Sequence, residues 1–149
     1  MFTAAADGSD LRLVTDRKYV SHFVWRDPQH IAIWQGEAYK LFPDDGSGTA
    51  EVVLKATNGH QSYLPKNSDW MLSDTYADKD GLQHLYLYHV PTGNVSPLGR
   101  FLLPDRYEGE WRCDLHARIS PNGQCIVVDS AHTDQGRQMY LLDIRGFIS

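Results

Sequence analysis

Three histidines stand at the head of three similar stretches of this chain. His22 opens His22-Phe23-Val24-Trp25 and runs on to Arg26-Asp27-Pro28. His60 opens His60-Gln61-Ser62-Tyr63 before Leu64-Pro65, and His116 opens His116-Ala117-Arg118-Ile119 before Ser120-Pro121. Imidazole is the commonest metal-ligating side chain, and its ordinary pKa lies close to neutrality. Brought together, such histidines could hold a divalent cation, or one of them could move a proton. A histidine heading an inner strand could equally hydrogen-bond its neighbour and do no chemistry.

The residues after each histidine indicate the elements that must position it. A polar turn comes first: Arg26-Asp27-Pro28-Gln29, Pro65-Lys66-Asn67-Ser68-Asp69, or Pro121-Asn122-Gly123-Gln124. Asn-Gly and Asp-Pro are strong turn signals. A second apolar run succeeds the turn: His30–Trp34, Trp70–Tyr76, or Cys125–Ser130. A third comes next, at Ala38–Phe42, His84–Val90 and Gln138–Ile144. These runs are rich in β-formers and read as strands. Fourth strands are predicted at Glu51–Leu54 and Val95–Leu98, and the opening residues Phe2–Ala5 and Leu11–Val14 repeat that last hairpin. No segment carries a convincing helical period.

The expected fold class is therefore all-β. Four-stranded antiparallel meanders recurring at about 40–50 residues are the signature of β-propeller blades. The expected organisation is one partial propeller domain, a fragment of a larger ring: a closing hairpin over 1–18, blades over 19–56 and 57–103, and an insertion with an incomplete blade over 104–149. The insertion is placed at about Arg100 to Arg112, and Leu11–Val14 could supply the missing strand of the third blade. The first strand of a blade lines the central channel. Histidines at that position in successive blades are thus expected to converge.

Bulk properties exclude some classes. A formal net charge of −5 argues against a non-specific nucleic-acid binder, which needs a basic face. No apolar run approaches the roughly 18 residues of a membrane span, and Met1–Asp7 lacks the pattern of a signal peptide. Two cysteines, Cys113 and Cys125, make no disulfide framework, and Cys125 reads as a small core residue. Together these fit a cytoplasmic protein.

Ser120-Pro121-Asn122-Gly123 and Gln138-Met139-Tyr140-Leu141-Leu142-Asp143 resemble the repeats of TolB-type propellers. The histidine heading each copy resembles that of the oligogalacturonate lyases within that superfamily. Those are cytoplasmic propellers that bind manganese near the axis and cleave short unsaturated pectin fragments by β-elimination. Three histidines and a glutamine hold their metal, and a further histidine acts as base beside an arginine. The resemblance implies that His60 and His116 are metal ligands, that Asp114 replaces another, and that His22 is the base. It implies a divalent cofactor such as Mn2+ and an acidic oligosaccharide, an oligogalacturonide, as substrate. The family's glutamine has no counterpart here, and its arginine would fall in a preceding blade.

An acidic sugar would also need cations, and arginine matches carboxylate best. Arg112 and Arg118 flank His116, and Arg137 comes later on a loop. Trp111 in the insertion could stack on a sugar ring, or simply pack. Asp74-Thr75-Tyr76 and Asp129-Ser130-Ala131-His132 end matching second strands. They could line the same pocket, although such residues more often fix turns. His132 is a further candidate ligand, and His84 and His89 are expected away from the channel. The alternative to a lyase is a non-catalytic propeller that scaffolds contacts with a protein partner or a carbohydrate.

Overall fold

The computed structural model describes residues 1–56 and 59–147, in two compact units, Met1–Thr57 and Asn58–Ser149. The expected blade boundary at 56/57 falls against residues outside those described.

In the first unit, β1 (Phe2–Thr3) and β2 (Arg12–Leu13) pair as a two-stranded ribbon. A four-stranded antiparallel meander comes after it: β3 (Val20–Asp27), β4 (His30–Gln35), β5 (Ala38–Pro43) and β6 (Glu51–Lys55). The apolar alternation of β4 explains its packing. Ile31 and Ile33 project to one face and bury against Val14 and Phe42. Full burial of each such side chain contributes about 1.5–3 kcal/mol. The β3–β4 register slips at His22 and again at Arg26, so His22 is a bulged residue.

In the second unit, β7 (Gln61–Leu64), β8 (Asn67–Asp74), β9 (Leu82–His89) and β10 (Asn94–Leu102) form the next meander. β11 (Arg118–Ile119), β12 (Cys125–Ser130) and β13 (Gln138–Asp143) form a three-stranded sheet. The two sheets share one core. Leu64, Leu72, Leu85 and Leu87 from the first meet Leu115, Ile126, Val128 and Ile144 from the second. This packing places the entry to β7 beside the entry to β11, where His60 and His116 lie.

The all-β expectation and the meander order hold, and some details differ. The segment Arg100–Leu102 is strand, not insertion. A bulge at Leu98 lets β10 continue past Gly99, and Phe101 packs against the shared core. Within the first unit, β2 pairs with β1. The buried cysteine is Cys113, whereas Cys125 is half-buried. The helix content among the described residues is one 3-10 turn, Gly109–Trp111. No helix there is long and apolar enough to cross a membrane.

The turn before β12 illustrates how sequence becomes geometry. Ser120 Oγ donates to Asn122 Oδ1 at 2.6 Å and accepts the N–H groups of Gln124 and Cys125. Gly123 supplies the left-handed residue, at φ 73°. The β7–β8 turn is tighter than the expected Pro65–Asp69 and is made by Pro65 and Lys66 alone.

Candidate metal centre

His60, Asp114 and His116 converge in the second unit, each offering one ligand atom within 4.8 Å of the others. The two imidazoles stack, with ring centroids 4.0 Å apart and planes inclined by 30°. His60 stands just before β7, and His116 two residues before β11. Asp114 lies on the segment between the 3-10 turn and β11. Buried Gln83 on β9 holds that segment, its Nε2 donating to the Cys113 carbonyl at 3.1 Å.

The three leading histidines are not backbone equivalents. His22 and His116 both occupy the left-handed region, at φ 42° and 43°. In the middle copy that conformation belongs to Gly59, at φ 96°, one residue ahead of His60. A non-glycine residue held there costs about 1–3 kcal/mol and needs support on both sides. At His116 the support is visible. The preceding carbonyl of Leu115 accepts Asp129 N–H at 2.8 Å, and the following Ala117 N–H donates to Asp74 Oδ2 at 3.2 Å.

Asp74, at the end of β8, is the residue that sequence reasoning left between a turn and a pocket role. Its side chain is 1% exposed. Oδ1 accepts the His60 backbone N–H at 2.6 Å and lies 3.0 Å from His60 Nδ1. The Asp74 N–H returns a bond to the His60 carbonyl at 3.1 Å. Gly59 beside it was a usable signal, because a Cβ there would lie 1.9 Å from the Asp74 carbonyl oxygen.

Arg112 is the cation of the site. Its Nε pairs with Asp114 Oδ1 at 2.6 Å, and its guanidinium lies over the Tyr76 ring, 4.4 Å from the centroid. The Asp114 carboxylate pushes the Arg112 pKa further above its usual value. Tyr76 also meets His60 edge-on, at 5.9 Å. Burial first, and the Asp114 charge second, raise the Tyr76 phenol above its ordinary pKa. Beside the ligand group opens a cleft of about 660 Å³, lined in part by Arg112, Asp114, His116, Asp129 and Arg137.

The other expected residues fall at several places. Trp111 is 71% exposed, with Arg137 over its ring and donating to its carbonyl at 2.8 Å. Arg118 on β11 pairs with Asp129 at 3.0 Å. His132 contacts Ser130 Oγ and the rings of Phe101 and Tyr140, apart from the ligand group. His84 pairs with Asp78, and His89 with Thr92 and the Trp70 ring. His22 belongs to the first unit, where it meets Trp34 edge-on at 6.5 Å. Trp25 on β3 is exposed.

The donor set fits a divalent ion. Two imidazoles and one carboxylate suit manganese, iron or zinc. Ligand bonds of about 2.1 Å keep the atoms around one ion within about 4.2 Å of each other. The ligand atoms of His60, Asp114 and His116 lie within 4.8 Å of one another, close to that span.

No family model matches the chain, and no curated protein matches it in sequence. Solved structures do match in fold. TolB from Acinetobacter baumannii superposes with a TM-score of 0.72 at 24% identity, over 97% of this chain and 35% of that one. An oligogalacturonate lyase in complex with manganese superposes with a TM-score of 0.65 at 13% identity, over 95% of this chain and 38% of that one. The meanders are β-propeller blades, and the chain spans little more than a third of either matched protein.

Proposed function

We propose that the second unit carries a divalent-metal site made by His60, Asp114 and His116, and that this site serves the β-elimination of short uronic-acid oligomers such as oligogalacturonides. The observation that carries the reading is the convergence of two stacked imidazoles and a carboxylate beside a cleft that also presents Arg112 and Arg137. The solved lyase with manganese supports it as a match in fold.

A divalent cation in this site supplies Lewis-acid stabilisation of negative charge on a uronate carboxylate. The chain's own residues do the rest. Arg112 and Arg137 offer planar, fork-shaped donors to carboxylates along the sugar chain, with Arg118 a third donor nearby. Trp111 offers an exposed ring face to a pyranose. A histidine base, for which His22 is the candidate the sequence offers, is proposed to take the proton from the carbon bearing the carboxylate. The released electron pair forms the ring double bond as the neighbouring glycosidic C–O bond breaks, and the leaving oxygen takes up a proton.

The test is digestion of unsaturated digalacturonate with and without added Mn2+, followed by ultraviolet absorbance of the conjugated product. A metal-dependent rise that disappears in His60→Ala/His116→Ala supports the proposal. Absence of product across several uronates rejects it.

A second reading is a non-catalytic propeller that scaffolds a protein or carbohydrate partner. Met139 and Leu141, exposed side by side on β13, favour it. So does the higher TM-score to TolB. It expects partner binding to survive His22→Ala and His60→Ala.

A further inference from the structure

We infer that Asp74 is the positioning residue of the metal centre, one buried carboxylate that sets the tautomer of His60 and at the same time pins the chain where it leaves His116. Its consequence for metal binding rests on the metal reading above, whereas its effect on the His60 ring does not.

Three nitrogens, on residues leading into two different sheets, reach this carboxylate. Oδ1 takes the backbone N–H of His60 at 2.6 Å and faces its ring Nδ1 at 3.0 Å. Oδ2 takes the Ala117 N–H at 3.2 Å, across the boundary between the two sheets of the second unit. A carboxylate that is 1% exposed has lost its water and must be satisfied by such donors. An aspartate that merely closed a strand end would engage backbone donors alone. Here the same oxygen that fixes the His60 backbone also faces the imidazole.

The ring contact has a chemical consequence. A neutral imidazole facing a carboxylate places its proton on the facing nitrogen, Nδ1, and keeps its lone pair on Nε2. That is how a carboxylate prepares a histidine to ligate a metal, orienting the ring and raising the basicity of the ligating nitrogen. The Ala117 contact extends the effect to the partner ligand. His116 sits in the left-handed region immediately before Ala117, and its ring stacks on His60 at 4.0 Å. One side chain therefore fixes the ring of one ligand and the backbone of the other.

The experiment compares wild-type protein and Asp74→Asn. Long-range ¹⁵N–¹H spectra of the metal-free wild type are expected to show the His60 proton on Nδ1. In Asp74→Asn that preference should weaken or reverse. Mn2+ affinity, read by electron paramagnetic resonance, should fall about ten- to a hundred-fold, with near-ultraviolet circular dichroism unchanged. The wild-type spectrum decides even where the variant fails to fold: a proton found on Nε2 overturns the assignment. So does a folded Asp74→Asn that keeps both the tautomer and an affinity within twofold. Wild-type protein that binds no Mn2+ defeats the metal reading, while the tautomer still decides the role of Asp74.

Discussion

Substituting Gly59 by alanine should be the most damaging one-carbon change near the candidate site. The residue sits at φ 96°, and an added Cβ would lie 1.9 Å from the Asp74 carbonyl oxygen and 3.2 Å from its Oδ1. The left-handed backbone alone costs a β-carbon about 1–2 kcal/mol. Relieving the clash means moving the Asp74 backbone, which is hydrogen-bonded to His60, and with it the carboxylate. Losing a neutral bond costs about 0.5–1.5 kcal/mol, and a bond to a charged group about 1.5–3 kcal/mol. The total is roughly 3–6.5 kcal/mol. Urea denaturation monitored by tryptophan fluorescence reads it. Gly109→Ala is the control in the same unit, because Gly109 also has a positive φ, 55°, but nothing within 4 Å of the added carbon. The control should lose only about 1–2 kcal/mol. If Gly59→Ala costs no more than Gly109→Ala, the close approach of Gly59 to Asp74 is not a structural requirement.

Two further outcomes concern a thiol and a carboxylate outside the ligand set. Burial raises the Cys113 thiol above its ordinary pKa, so an alkylating reagent at mildly alkaline pH should modify Cys125 first and Cys113 only once the protein is unfolded. Equal rates by mass spectrometry would contradict the burial. Burial alone would raise the Asp27 carboxyl, but bonds from Arg26, His30 and the Gln29 N–H outweigh it and hold the group well below the usual carboxylate range. A depressed folded pKa contributes stability above the unfolded value of about 3.9, and that stability is lost as pH falls through the folded value. Asp27→Asn should therefore cost the first unit on the order of 1 kcal/mol at neutral pH, narrowing as acid is added. An unchanged difference across the acid range would reject this.

The strands were legible because turn chemistry and alternation agreed. Cys125–Ser130 has the same bounds in sequence and structure, since Asn122-Gly123 opens it and Ile126 and Val128 bury one face. The end of β10 was not legible. Gly99 reads as a stop, and only the bulge at Leu98 and the packing of Phe101 explain why the strand continues. At the candidate site, the pairing of His60 with His116 was readable from the repeat, because equivalent strand entries in neighbouring sheets lie side by side. The left-handed conformation of His116 was not readable, as non-glycine residues rarely adopt it. Nor was the part played by Asp74. Its contacts reach residues 14 and 43 positions away, and they exist only once β8 and the entry to β11 have packed. Propensity says nothing about such a meeting.

The central claim is that His60, Asp114 and His116 form one divalent-cation site. Its most direct test is elemental analysis after Mn2+ loading and desalting, on the wild-type chain and on His60→Ala/His116→Ala. The account predicts about one ion per chain in the wild type and none in the variant. A wild type that retains no metal, or a variant that retains as much, contradicts it.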